Sequence, residues 1–119
     1  ELGGEVPYTA YNARCSYIEE NPDIIKNFTK AINKGLEFVH EASSEEIANA
    51  IIDFFPDTSL NDLITIVDRY KEGNAWKENI TINEEEWIHI QDIVMAAGEL
   101  EEYAPFEDLI YTKYFNDYE

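Results

Sequence analysis

Few residues in this chain have the type and spacing to do chemistry. His89 and Asp92 stand three apart, a spacing that presents two ligands from one helix face. A metal site needs more ligands than that, so an ordinary surface pair accounts for them. Asp53, Asp57 and Asp62 gather around a helix junction but lack the alternating positions and central Gly of a calcium loop. Capping and solvation explain them. Glu84, Glu85 and Glu86 suit the positive end of a helix dipole rather than an acid–base pair. Neither His40 nor His89 is close enough in sequence to Cys15 to activate its thiol. Gly3 and Gly4 are too short a run for a phosphate loop. Asn27-Phe28-Thr29 and Asn79-Ile80-Thr81 match the glycosylation sequon, a pattern common by chance. No nucleophile, base or metal set emerges, so neither an enzyme nor a cofactor is expected.

The aromatic residues say more. The chain holds eight tyrosines and six phenylalanines, and Tyr8 and Tyr11 flank Thr9 in the opening stretch EVPYTAY. Val6, Tyr8, Thr9 and Tyr11 favour strand geometry. In a strand Tyr8 and Ala10 share one side, and Thr9 and Tyr11 the other. A flat ring beside a hydroxyl suits a small planar or polar ligand, which makes Tyr8, Thr9 and Tyr11 the candidate ligand-binding residues. The plainer alternative is that these rings pack on neighbours. A strand does not stand alone in water, and nothing further along reads as a strong partner for it.

The totals set bounds. With 119 residues there is room for one domain. Hydrophobic residues make up 45%, enough for a packed core. Against 8 basic residues stand 26 acidic ones, a formal net charge of −18. A nucleic-acid binder needs the opposite balance to displace counterions from phosphates, so that class is excluded. An anionic membrane surface would repel the chain as well. Cys15 is the single cysteine, so no internal disulfide is possible. The opening ELGGEV has neither an initiator Met nor a basic-then-apolar leader, and no run of apolar residues is long enough to span a membrane. The expectation from that start is a piece of a longer chain.

The elements that must position any site are helical. Asn21 as N-cap, Pro22 at the first helical position and Asp23 in the first turn open a helix. Its stripe is Ile24, Ile25, Phe28, Ala31, Ile32, Gly35 and Val39. Gly35 costs about 1 kcal/mol relative to Ala and marks a close helix contact. A shorter helical turn precedes it across residues 13–20. Ser43 and Glu46 form a capping-box pair, followed by a buried face of Ile47, Ala50, Ile51, Phe54 and Phe55 that Pro56 ends. Ser59 and Asp62 start the next helix, with Leu60, Leu63, Ile64, Val67 and Tyr70 on one side and Gly73 beyond its end. Trp76, Ile80 and Ile82 pin a loop. Asn83 caps a helix lined by Trp87, Ile90, Val94 and Ala97, and Gly98 closes it. A short helix follows Pro105. The apolar faces should pack together, driven by about fifteen to twenty large side chains at roughly 1.5–3 kcal/mol each. Ordering entropy is of similar size, so the margin is thin without further partners.

The stretch GEVPYTAYNARCSYIEENPDIIKNFTKAINKGLEFV resembles the C-terminal part of substrate-binding proteins of ABC importers. The nearest group is the nitrate/sulfonate/taurine and thiamine-pyrimidine-precursor type. The similarity lies in a Pro-containing strand, then Glu20-Asn21-Pro22-Asp23 opening a long helix, then Phe28, Ala31, Gly35, Phe38 and Val39. The closing NAWKENITINEEEWIHIQDIVMAAGELEEYAPFEDLIYTKYF also resembles that family's ending, and the pattern extends over nearly the whole chain.

The resemblance implies a two-lobed α/β protein of the type 2 periplasmic binding fold that closes on its ligand. This chain would be its C-terminal fragment. Residues 1–12 would be a crossing strand or hinge, and residues 13–119 a helical subdomain. The fold class expected is thus mainly α, with about four to five helices and one short N-terminal strand whose sheet partners lie elsewhere. The family's cleft lies near such crossing strands, which again selects Tyr8, Thr9 and Tyr11. The implied partners are a small organic or anionic nutrient and an ABC permease, with homodimerisation of the fragment possible. The implied location is outside the cell membrane, as a lipoprotein or in the periplasm. The rival expectation is a free-standing all-α domain that binds a protein partner through an apolar groove.

Overall fold

The computed structural model describes Val6, Pro7 and residues 9–114. The chain is mainly α-helical, as its capping residues predict. The helices are α1 (Cys15–Glu20), α2 (Pro22–Glu41), α3 (Ser44–Ile51), α4 (Leu60–Glu72), α5 (Glu84–Ala96) and α6 (Phe106–Leu109), with a 3₁₀ turn at Ile52–Phe54. The count exceeds the expected four to five because α1 and α6, of 6 and 4 residues, form as separate segments. Val6, Pro7 and residues 9–14 have no regular structure, so the short N-terminal strand is absent among the described residues. A strand is defined by the ladder it shares, and none of these residues has one.

The chain divides into two compact units. One is Asn27–Ile80, and the other combines the chain up to Lys26 with the chain from Thr81 onward.

In the Asn27–Ile80 unit, α3 and α4 pack against each other. Ile47 and Ala48 of α3 and Leu63 and Val67 of α4 are buried. Both helices start where their caps say. Ser43 Oγ accepts from Glu46 N–H at 3.2 Å, and Ser43 N–H donates to Glu46 Oε2 at 2.8 Å, a complete capping box. Ser59 Oγ accepts from Asp62 N–H at 3.2 Å. The Lys71 ammonium donates to the Ala42 carbonyl, at the negative end of α2. The left-handed residue that ends α4 is Asn74, with φ 49°, whereas Gly73 has φ −81°. Asn tolerates that region when its short amide can bond locally. Trp76 packs on Tyr70 with ring centroids 5.6 Å apart, which pins the loop after α4.

Several apolar residues expected inside are outside. Phe54 is 80% and Phe55 44% exposed, and Ala50 is exposed too. For Phe54 the 3₁₀ turn is the cause: at three residues per turn it rotates this ring out of the phase that α3 sets up. Along α2 the half-buried apolar residues are Ile25, Ile32, Leu36 and Val39, while Ile24, Phe28, Ala31, Gly35 and Phe38 are exposed. A Cβ at Gly35 would meet nothing within 4 Å, so the close contact expected there is not formed among the described residues.

In the other unit, Asn21 serves α1 as its C-cap, and its side-chain amide donates back to Tyr17 O at 3.0 Å. Its carbonyl meanwhile accepts from Ile24 and Ile25 N–H, which starts α2. Helix α5 has the second complete capping box, Asn83 with Glu86. The residue it buries is polar: Gln91 is 6% exposed. Gln91 Oε1 accepts from Ala104 N–H at 2.6 Å, and its Nε2 donates to Ala104 O at 3.3 Å. The side chain thus pairs with one backbone residue as a neighbouring strand would. Trp87 Nε1 donates to the same carbonyl at 2.8 Å. Gly98, with φ 77°, ends α5 as expected.

Candidate functional site

The candidate ligand residues sit at the entry to α1. Tyr8 lies outside the described residues. Thr9 and Tyr11 are exposed on the irregular segment before Arg14, the N-cap of α1, and Tyr11 is 74% exposed. A ring as open to water as Tyr11 presents a face without the enclosing wall that a small-molecule site needs.

A concavity in the Asn27–Ile80 unit lies elsewhere. An open groove of about 310 Å³ is lined by Asn33, Leu36, Glu37, His40 and Glu41 of α2 and by Glu78. His40 Nε2 is 2.8 Å from Lys77 O, so this nitrogen carries the proton and donates. Asn33 Nδ2 donates to Glu37 Oε1 at 2.7 Å. His40 lies in the last turn of α2, where a positive charge is favoured. Three carboxylates around one imidazole repel anions, so the groove is unsuited to nitrate or a sulfonate. Nor does it make a metal centre: no group of three or more His, Cys, Asp or Glu among the described residues is placed to hold an ion. A sequence signal for it existed in Glu37, His40 and Glu41, three and four apart on one helix face. The approach of Glu78 was not visible, because it depends on the path of a loop.

The other chemically able residues do structural work. Asp92 accepts from Tyr103 Oη at 2.5 Å. That bond, with some burial and the carboxylate charge, pushes the Tyr103 hydroxyl above its ordinary value. Asp62 accepts from Ser59 Oγ at 2.7 Å. The Glu46 carboxyl is held below its ordinary value, chiefly by the Ser43 hydroxyl, then by the Ser43 N–H and the charge of Lys71 against a small burial effect. Cys15 is exposed at the start of α1.

Among the described residues, no helix is long and apolar enough to cross a membrane. The chain is similar to a protein of Bacillus subtilis (strain 168) described as "Putative binding protein YtlA", with 38% identity over 110 residues. The match takes in 92% of this chain and 33% of that protein, so the chain spans about a third of the length of the curated relative it matches. No family model matches the sequence, and no solved structure matches it.

Proposed function

We propose that this chain is the helical C-terminal portion of a solute-binding protein that serves an ABC importer, of the nitrate/sulfonate/taurine and thiamine-pyrimidine-precursor type. The observation that carries this reading is the 38% identity, over 92% of the chain, to a protein named for binding. In this reading the protein captures a small organic or anionic nutrient outside the cell membrane and delivers it to a permease. No bond is made or broken. The sparse interior fits: four apolar residues are fully buried in the described structure, while Phe54, Phe55, Tyr11 and Leu109 stand open to solvent. Helices that evolved to cover a sheet would look like this once the sheet is taken away. The absence of an enclosing wall around Thr9 and Tyr11 fits as well, if the cleft is completed by a second lobe.

The test is a thermal-shift screen of the full-length gene product against pyrimidines, sulfonates, nitrate and flavin-like rings. A dose-dependent rise in melting temperature with one class supports the reading. Tyr8→Ala and Tyr11→Ala should each weaken that ligand's affinity. No shift with any class, together with a native reading frame confined to these 119 residues, would instead favour a free-standing interaction domain.

A further inference from the structure

The turn that joins α3 to α4 displays two adjacent aromatic rings, Phe54 and Phe55. We infer that this turn is an anchor which inserts into an apolar pocket on the part of the same polypeptide that lies beyond these residues. The inference rests on the proposed reading in one respect, that the native protein is longer.

Three observations carry it. First, the display is rigid. Phe55 N–H donates to Ile52 O at 2.9 Å and Thr58 N–H donates to Phe55 O at 3.0 Å, and the flanking helices hold the unit's buried core. Ordering entropy is therefore already spent before docking, as in effective interface anchors. Second, exposure this high is unusual for a ring so large. At 80% exposure Phe54 presents nearly its whole side chain to water, and a buried Phe removes about 150–250 Å² of surface. Asp53 and Asp57, both exposed, give the apolar pair the polar rim that docking patches carry. Third, the relative extends well past the match, which covers 33% of its length, so such a protein has ample chain to supply the pocket. A second copy is a poor occupant, because each copy brings a net charge of −18.

Hydroxyl-radical footprinting of the unmodified full-length protein tests this, with Phe54 and Phe55 oxidation read by mass spectrometry in native and urea-unfolded states. The expected result is native oxidation at least about tenfold slower than unfolded at both rings, unchanged on hundredfold dilution. Native oxidation near the unfolded rate overturns the inference. Protection that disappears on dilution overturns the occupant, since a second copy would then be the cover. The ligand screen separates this from the functional reading. Protected rings in a protein that binds none of the ligand classes leave the anchor standing and remove the importer role. Ligand binding with unprotected rings does the reverse.

Discussion

In the Asn27–Ile80 unit, α3 and α4 are held by apolar burial, with Ile47, Ala48, Leu63 and Val67 each at most 3% exposed. In the unit made from the two ends of the chain, the residue that α5 buries is an amide, Gln91, and what it holds is the backbone of Ala104. The two solutions differ in how they fail. An apolar pair loses stability in proportion to the volume removed, and its partners can close in. A polar hook loses its partners' satisfaction all at once. The second is more specific and less forgiving, which suits a segment that must be fixed in register instead of merely covered.

Substitutions can break or sharpen that contrast, and the largest effect is expected in the apolar unit. Leu63→Ala should lower stability by about 2–5 kcal/mol in denaturant unfolding followed by far-UV circular dichroism. The same truncation at Ile66, on the same helix but 43% exposed, should change it by less than about 0.5 kcal/mol. Equal effects would mean that α4 does not pack as described. Next comes Gln91→Ala, which leaves the Ala104 N–H without its partner while Trp87 still serves the carbonyl, at a cost of about 1–3 kcal/mol. The loss should be local: hydrogen exchange at the Ala104 amide should speed up while the α3 and α4 amides keep their protection.

Ser43→Ala removes an N-cap and should cost about 1 kcal/mol. It also tests a pH dependence. Because Ser43 holds the Glu46 carboxyl below its ordinary value, the native state takes up that proton less readily than the unfolded one. This contribution is present above the unfolded carboxyl's value and is lost as pH falls through the lower folded value. Ser43→Ala should flatten the acid limb of the stability curve, and Glu46→Gln should flatten it by a similar amount. The smallest effect is expected from Asp92→Asn. Tyr103 is held above its ordinary value by Asp92, so its contribution is present at neutral pH and fades only in the alkaline range, as pH rises through the folded value. In the variant, Tyr103 should titrate lower in an NMR-monitored alkaline series, with melting temperature almost unmoved. A Tyr103 titration that Asp92→Asn leaves in place would show the bond to be absent in solution.

The helix boundaries could be read from sequence because caps are local. Ser43 with Glu46, Ser59 with Asp62 and Asn83 with Glu86 each act within three residues, so no knowledge of the fold is required. Burial was harder. On α2, two apolar rows lie side by side, and periodicity alone cannot say that the row holding Ile32, Leu36 and Val39 turns inward while the row holding Ala31, Gly35 and Phe38 faces water. Phe54 was misread for another reason, since a change of helix type after Ile51 shifts the phase of everything that follows. Gln91 was invisible to a search for apolar stripes, because its role depends on where Ala104 arrives. Of the candidate site, the chain order of Thr9 and Tyr11 was legible and their exposure was not. Enclosure is a property of distant segments, and no local pattern encodes it.

Gly98 fixes where the chain goes after α5. Its φ of 77° is one that side-chain-bearing residues seldom adopt, yet a Cβ there would touch nothing within 4 Å. Replacement is therefore opposed by torsion alone and not by crowding. Tolerance at this site should rank Asn above Ala and Ala above Val, following each residue's ease in the left-handed region. The angle also acts as a lever, since relaxing it would swing residues 99–103 and carry Ala104 off the amide waiting for it. The path from Gly98 to Ala104 is thus aimed by one bond rotation whose replacement cost is torsional and not steric.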